Sequence, residues 1–147
     1  MPRFFNLREA QELLPHVRAW LEEALVAKSS VEDIDGELQA LAAHVVMSGG
    51  VEIDPVAVVR KKLRRQEEAE RAEQAVRSIE GAGCIVKDVE NGLIDFPALL
   101  DGHEVYLCWK RGEARIEHWH KVEDGFAGRR RIGDEFGDDP GSGLRPN

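Results

Sequence analysis

Apolar side chains recur every three or four residues over residues 7–45 and again over about 58–79, and from residue 83 they alternate with polar ones. The first spacing is typical of helices with one buried face, and the second of strands with one buried face. The sequence therefore predicts an α+β protein, with helices over about residues 7–82 followed by strands over about residues 83–120.

A helix is predicted to begin at Leu7. Asn6 and Glu9 have the spacing of a capping box, and Phe5 is placed to pack against Ala10 as a hydrophobic staple. Pro15 then predicts a kink, or a short first turn before the main helix. The predicted apolar stripe consists of Leu7, Ala10, Leu13, Leu14, Val17, Leu21, Ala24 and Leu25.

Two further helices are predicted before residue 83. Ser29 or Ser30 can cap the second. Asp54 and Pro55 supply an N-cap and a first-turn proline for the third, which is expected to end near Ala82. The buried positions are Ile34, Leu38, Leu41, Ala42 and Val45 in the second helix, and Val58, Leu63, Ala69, Ala72, Val76 and Ile79 in the third.

The third helix is basic over residues 60–65 and acidic afterwards, which opposes the helix dipole. We expect it to be held by packing against the first helix in a long antiparallel pair. The basic run is interpreted as a solvated face or an ion-paired contact with a second subunit. A homo-oligomer formed through the long helices is therefore expected.

Four segments rich in β-branched and aromatic residues follow, with turn residues between them. We interpret them as two successive β-hairpins that form a small antiparallel sheet. The segments are CIVKD, LIDF, EVYLCW and ARIEHWH.

Either a two-residue loop at Arg111–Gly112 or a four-residue loop over Lys110–Glu113 predicts that Trp109 pairs with Ala114 in the second hairpin. In this register His103 lies opposite His120, and His118 shares their face. Three imidazoles at this spacing are able to bind a divalent metal with an open fourth position, although ordinary hydrogen-bonded histidines have the same pattern.

The same register places Cys108 and His120 on opposite faces of the sheet. It therefore disfavours a cysteine nucleophile activated by that histidine. A packed, buried cysteine is the expected role of Cys108, with a small polar pocket as the alternative.

The length of the first hairpin loop decides which residue faces Asp95. A two-residue Asn91–Gly92 turn places Asp88 opposite it, and this carboxylate pair would need a cation or would raise the pKa of one carboxyl. A three-residue loop with a bulge places Lys87 opposite it instead, as an ordinary ion pair, which we prefer.

Arg129 follows the last predicted strand. It is a candidate clamp for an anion or a carboxylate, with Glu113 as one candidate partner. From Arg130 to Asn147 the composition becomes acidic and rich in glycine and proline, which predicts a flexible tail after a single domain of residues 1–129.

Composition limits the classes of partner. The 147 residues carry a net charge of −8, which disfavours nucleic acid and anionic membrane surfaces. The chain shows neither the plan of a signal peptide nor an apolar stretch of membrane-spanning length, so we expect a cytoplasmic protein. The two cysteines, Cys84 and Cys108, are expected to be free thiols.

Four ordered motifs, FFNLREAQELLPHV, GCIVKDVENGLIDF, VYLCWKRGEARIEHWH and GFAGR, resemble an uncharacterised prokaryotic family, the domain-of-unknown-function family 2203. The resemblance extends to about Arg129 and implies no reaction. His103 and His118 are not part of the family pattern. The positions that match the family motif are Cys84, Lys87, Asp88, Asp95, Cys108, Trp109, Glu113, Trp119, His120 and Arg129.

Two hypotheses follow, and both leave open whether the protein is an enzyme. In the first, the sheet carries a metal or small-ligand site. In the second, the helical hairpin is an oligomerisation or protein-interaction module. The ligand-binding candidates are Lys87, Asp88, Asp95, Cys108, Glu113 and Arg129, and the metal-binding candidates are His103, His118 and His120.

Overall fold

The described residues, 3–49 and 53–136, form two helices followed by a five-stranded antiparallel sheet in this computed structural model. The chain divides into two compact units, residues 22–75 and residues 1–21 with 76–147. The helices are α1 (Leu7–Met47) and α2 (Pro55–Gly81), and the strands are β1 (Ile85–Asp88), β2 (Leu93–Leu100), β3 (His103–Lys110), β4 (His118–Lys121) and β5 (Arg130–Arg131).

The prediction of three helices is wrong, because α1 runs without a break through Ser29 and Ser30. Between Pro15 and Gly36 the sequence has no glycine or proline that would end a helix, and serine in a helix interior costs only about half a kcal/mol. Pro15 itself lies inside α1, so no separate first turn forms.

The predicted helix starts at Leu7 and Pro55 are confirmed by their capping bonds. The Asn6 backbone N–H donates to Glu9 Oε1 at 2.9 Å, and the Glu9 N–H donates to Asn6 Oδ1 at 2.7 Å, which is a complete capping box. At the start of α2 the Val56 N–H donates to Asp54 Oδ1 at 3.0 Å.

In the unit of residues 22–75, acidic residues of α1 pair with the basic run of α2. Lys61 Nζ lies 2.8 Å from Glu37 Oε2, and Arg65 donates two hydrogen bonds to the Asp35 carboxylate. These partners explain how α2 tolerates a charge order that opposes its dipole.

The prediction of a sheet made of two hairpins is also wrong. The strands form one sheet in the order β1-β2-β3-β4-β5, and β2 joins β3 through a tight turn at Asp101 and Gly102, which have φ of 51° and 81°. An Asp-Gly pair with both φ positive is a common hairpin turn. The segment LIDF continues through Pro97 to Leu100 as β2. Because β1 pairs only as far as Asp95, Pro97 lies in an edge stretch of β2 where a missing N–H is tolerated.

The predicted register of the second hairpin is wrong by three residues. Cys108 pairs with His118 rather than Arg115, because residues 111–117 form a long connection instead of a two- or four-residue loop. A shift by an odd number transfers every β4 side chain to the other face of the sheet. His120 consequently lies opposite Tyr106 rather than His103.

Two side chains hold this connection. The Lys110 backbone N–H donates to Glu113 Oε1 at 2.6 Å. The Gln11 amide accepts from the Ile116 N–H at 3.0 Å and donates to the Ile116 carbonyl at 2.9 Å. Gln11 therefore ties α1 to a loop 105 positions later.

Both predicted arrangements of the first hairpin are wrong. A bulge between Val86 and Asp88 leaves Ile85 opposite Asp95, so neither Lys87 nor Asp88 faces that carboxylate. Asp88 instead accepts hydrogen bonds from the Asn91 backbone at 3.0 Å and the Asn91 side chain at 2.7 Å, which stabilises the turn.

One face of the sheet is apolar and contacts the first turns of α1. The Phe5 ring meets Phe96 edge to face at 5.4 Å, and the Arg18 guanidinium lies over the Trp109 ring. The buried side chains of this unit include Phe5, Leu14, Val17, Leu21, Ile79, Ile94, Phe96, Leu107 and Trp109.

The first residues of the predicted tail have regular structure. Arg130 and Arg131 form β5, which pairs with β4, and Phe136 is buried with its ring 5.6 Å from that of Trp119. Residues 137–147 lie outside the described residues, so the tail prediction stays a prediction there, as does the single domain. Neither described helix is apolar enough over a sufficient length to cross a membrane.

Candidate metal site

The other face of the sheet carries a cluster of polar side chains, because alternation places one residue from each of three strands together. Asp95 of β2 is the partner of Cys108 in β3, and His120 of β4 is the partner of Tyr106 two residues along β3. Asp95, Cys108 and His120 are hereafter the trio. A carboxylate oxygen, the sulfur and a ring nitrogen of the trio all lie within 4.8 Å of one another.

All three side chains of the trio are removed from solvent. Asp95 is 1%, His120 2% and Cys108 2% exposed. The Tyr106 ring packs edge to face on His120 at 5.5 Å between centroids. Buried charge requires close partners, so the contacts within the trio decide its chemistry.

The two nitrogens of His120 have different partners. Nδ1 lies 2.8 Å from the Lys121 carbonyl oxygen, and because a carbonyl only accepts, Nδ1 carries the proton and donates it. Nε2 lies 3.2 Å from both Oδ1 and Oδ2 of Asp95. In the neutral ring, Nε2 therefore directs its lone pair at a carboxylate.

Cys108 is a neutral thiol in this environment. Burial is the main cause that raises the pKa of Cys108 to about 12; the Asp95 charge also raises it, and the Arg129 charge opposes the change. A nucleophilic cysteine needs a free base and a lowered pKa. Both nitrogens of His120 are engaged, so a Cys108–His120 catalytic pair is disfavoured even though the trio brings the two together.

Arg129 forms an ion pair with Glu113 beside the trio, as the sequence had suggested for these two residues. Arg129 Nη2 lies 2.7 Å from Glu113 Oε1 and 2.9 Å from Oε2, and 3.4 Å from the Cys108 carbonyl oxygen. His118 Nδ1 lies 3.4 Å from Glu113 Oε2. Arg129 Nε and His118 Nδ1 are buried and make no hydrogen bond with the described residues.

The remaining predicted site residues lie apart from the trio. The Lys87 ammonium sits over the Tyr106 ring, 5.1 Å from its centroid. His103 is exposed at the start of β3, and strand alternation places it on the opposite face from His118 and His120. The predicted grouping of three histidines is therefore not assembled.

Sequence reasoning named Asp95, Cys108 and His120 separately but did not bring them together. Their spacing in the chain carries no metal-binding motif, and only the correct register on both sides of β3 puts them on one face. A cleft of about 440 Å³ has His103 and Glu104 on its wall and no member of the trio.

Comparison with known proteins identifies a family and nothing more specific. The model of the family described as uncharacterized conserved protein DUF2203 matches residues 3–132. No curated protein and no solved structure matches the chain.

Proposed function

Because the chain belongs to the DUF2203 family, whose description names no reaction, we propose its function from the geometry of the site: it binds a divalent transition-metal ion through Asp95, Cys108 and His120. His118, the strand partner of Cys108 on the same face, is a candidate fourth ligand. The three histidines of the sequence-based prediction are thereby replaced by a nitrogen, oxygen and sulfur set.

The observation that carries the proposal is the position of His120 Nε2. Its lone pair faces two carboxylate oxygens at 3.2 Å, and this contact is favourable only with positive charge between the groups. That charge is either a proton, which gives a buried ion pair, or a metal ion. The hydrogen bond from Nδ1 to a backbone carbonyl is the usual outer contact of a metal-binding histidine.

The sulfur favours the metal over the proton. An Asp–His ion pair has no need of a third donor, whereas Cys108 completes a set of side chains that binds zinc and similar ions. In a tetrahedral site with bonds of about 2.0–2.3 Å, the donor atoms lie about 3.3–3.7 Å apart. Within the trio, His120 Nε2 lies 3.2 Å from the Asp95 oxygens, and the three donor atoms lie within 4.8 Å of one another.

Metal content measured by mass spectrometry tests the proposal. Tag-free protein is purified, loaded with zinc, dialysed and compared with His120→Ala and with the matched control His103→Ala, which removes an exposed imidazole from the other face. We expect about one metal ion per chain in the wild type and in His103→Ala, and none in His120→Ala. Absence of metal from the zinc-loaded wild type, or its loss only in His103→Ala, would reject the trio as the site.

The exposed apolar residues of the helices favour a second candidate function, self-association. In the unit of residues 22–75 the buried apolar side chains are Ala24, Ala27, Ile34 and Ala75, while Val46, Met47, Val56, Val59 and Leu63 are exposed. A helical hairpin with so little buried apolar surface is stabilised by a further apolar contact. Sedimentation velocity of the wild type and of Val59→Ser/Leu63→Ser tests this: a dimer that the variant loses supports it, and a monomer at all concentrations rejects it.

A further inference from the structure

The trio is closed off from solvent, so an ion or a reagent has to pass the groups that cover it. Arg129 is one such group. Its side chain is mostly buried, and its Nη2 lies 3.4 Å from the Cys108 carbonyl oxygen. Arg129 is therefore packed against the backbone of a trio residue.

The Arg129–Glu113 ion pair joins two connecting segments that do not neighbour each other in sequence. Arg129 follows the 3₁₀ turn Phe126–Gly128, and Glu113 lies in the connection between β3 and β4, where it is fixed by the Lys110 N–H. The Phe126 ring lies against the Arg129 guanidinium at 4.8 Å. The pair thus closes one segment against the other, next to Cys108.

The segment that bears Arg129 is short and begins at a glycine with the backbone freedom to move. Gly125 has φ of 65°, a conformation that other residues rarely adopt, and no atom beyond its chain neighbours lies within 4 Å of the position a Cβ would take. The segment folds on itself through two backbone bonds, Gly128 N–H to Gly125 O and Arg129 N–H to Phe126 O. Local openings of such turns need far less free energy than global unfolding.

We propose that the Arg129–Glu113 ion pair is a latch whose opening controls access to the buried trio. Entry and release of a metal then depend on this latch, a consequence that rests on the proposed metal site. Access of a small reagent to the Cys108 sulfur does not depend on any metal.

The two cysteines provide a test within one molecule. Cys84 and Cys108 are both buried free thiols, but only Cys108 lies beside the latch. Metal-free protein under native conditions is treated with iodoacetamide, and peptide mass spectrometry follows the alkylation of each cysteine. The variants are Arg129→Gln, Glu113→Gln and the control Arg131→Gln, which removes an exposed arginine that lies 3.8 Å from Glu117.

We expect the ratio of Cys108 to Cys84 alkylation rates to rise about tenfold in Arg129→Gln, to rise in Glu113→Gln, and to stay unchanged in Arg131→Gln. Loss of the Arg129 charge makes the Cys108 thiol harder to ionise, so a faster reaction reports access rather than reactivity. An unchanged ratio in Arg129→Gln would overturn the latch, as would an equal acceleration at both cysteines, which signals general loosening.

The rate of zinc release to a chromogenic chelator distinguishes failure of the latch proposal from failure of the metal-site proposal. Release that is faster in Arg129→Gln than in Arg131→Gln supports both proposals. A tenfold rise in the alkylation ratio without zinc binding in any variant supports the latch and rejects the metal site.

Discussion

His120 Nε2 lies at the same distance, 3.2 Å, from the two carboxylate oxygens of Asp95, although the residues belong to strands that are separated by β3. The ring reaches Asp95 across β3, beside Cys108. Because Nδ1 donates to the Lys121 carbonyl, the contact at Nε2 needs either a proton or a metal ion between the two side chains. A metal site has the ion there, and a structural pair has the proton.

Asp95→Asn tests whether Asp95 is a metal ligand. An asparagine amide donates a hydrogen bond to the Nε2 lone pair, so we expect the free energy of unfolding, measured in urea with a chelator, to stay within about 1 kcal/mol of the wild-type value. Zinc affinity is expected to fall by about 100-fold or more, because an anionic ligand is lost. A zinc affinity that is unchanged in Asp95→Asn would instead indicate that Asp95 is not a ligand and that its contact with His120 is a structural pair.

Gly92 is required at the turn between β1 and β2. Its φ is 67°, and an added Cβ would lie 2.4 Å from Arg111 Cβ. We expect Gly92→Ala to lower the free energy of unfolding by more than 2 kcal/mol, since backbone strain of about 1–2 kcal/mol is joined by a steric clash.

Gly102→Ala is the matched control for Gly92→Ala. Gly102 has φ of 81°, but no atom beyond its neighbours lies within 4 Å of a new Cβ. Gly102→Ala introduces the backbone strain without the steric clash, so urea denaturation should show a smaller decrease in the free energy of unfolding than in Gly92→Ala. Equal losses in the two variants would mean that the packing against Arg111 contributes nothing.

The buried Cys84 thiol is expected to make the protein less stable in alkaline solution. Burial raises the pKa of this thiol from 9.0 to about 12, with the Arg3 charge opposing the change. The pKa of Cys84 is higher in the folded state than in the unfolded state. The contribution of this thiol to the free energy of unfolding is therefore complete below pH 9 and is lost as the pH rises from 9 to 12. The expected decrease is up to about 1.4 kcal/mol for each pH unit in that window.

The comparison of wild type with Cys84→Ala isolates this contribution. At pH 7.5 the wild type is expected to be more stable by about 1 kcal/mol, because the variant leaves a small cavity. Urea denaturation at higher pH should show the difference shrinking above pH 9 and then changing sign. A difference that stays constant to pH 10.5 would show that the thiol ionises in the folded state as easily as in the unfolded one.

The sequence predicted best those features that depend on neighbouring residues. The capping box of Asn6 and Glu9 and the Asp54–Pro55 start of α2 involve partners within three positions, and both were correct. The prediction that a new helix begins at Ser29 or Ser30 was wrong, because a serine is compatible with the start of a helix but does not require one.

The register of the sheet depends on contacts that are distant in sequence. The connection of residues 111–117 is fixed by the Glu113 side chain and by Gln11 of α1, and no local pattern reveals either contact. An error of three residues there separated His120 from Cys108 and placed it beside His103 instead. The individual residues of the trio were recognised, but their assembly was not.

The most direct test of the metal site is the absorption spectrum of the protein loaded with Co²⁺. In the wild type we predict visible bands of a low-symmetry, four-coordinate ion together with a near-ultraviolet thiolate-to-cobalt charge-transfer band. Cys108→Ser should lose the charge-transfer band, while Cys84→Ser should keep it. Absence of that band from the wild type, or its persistence in Cys108→Ser, would contradict metal binding by the trio.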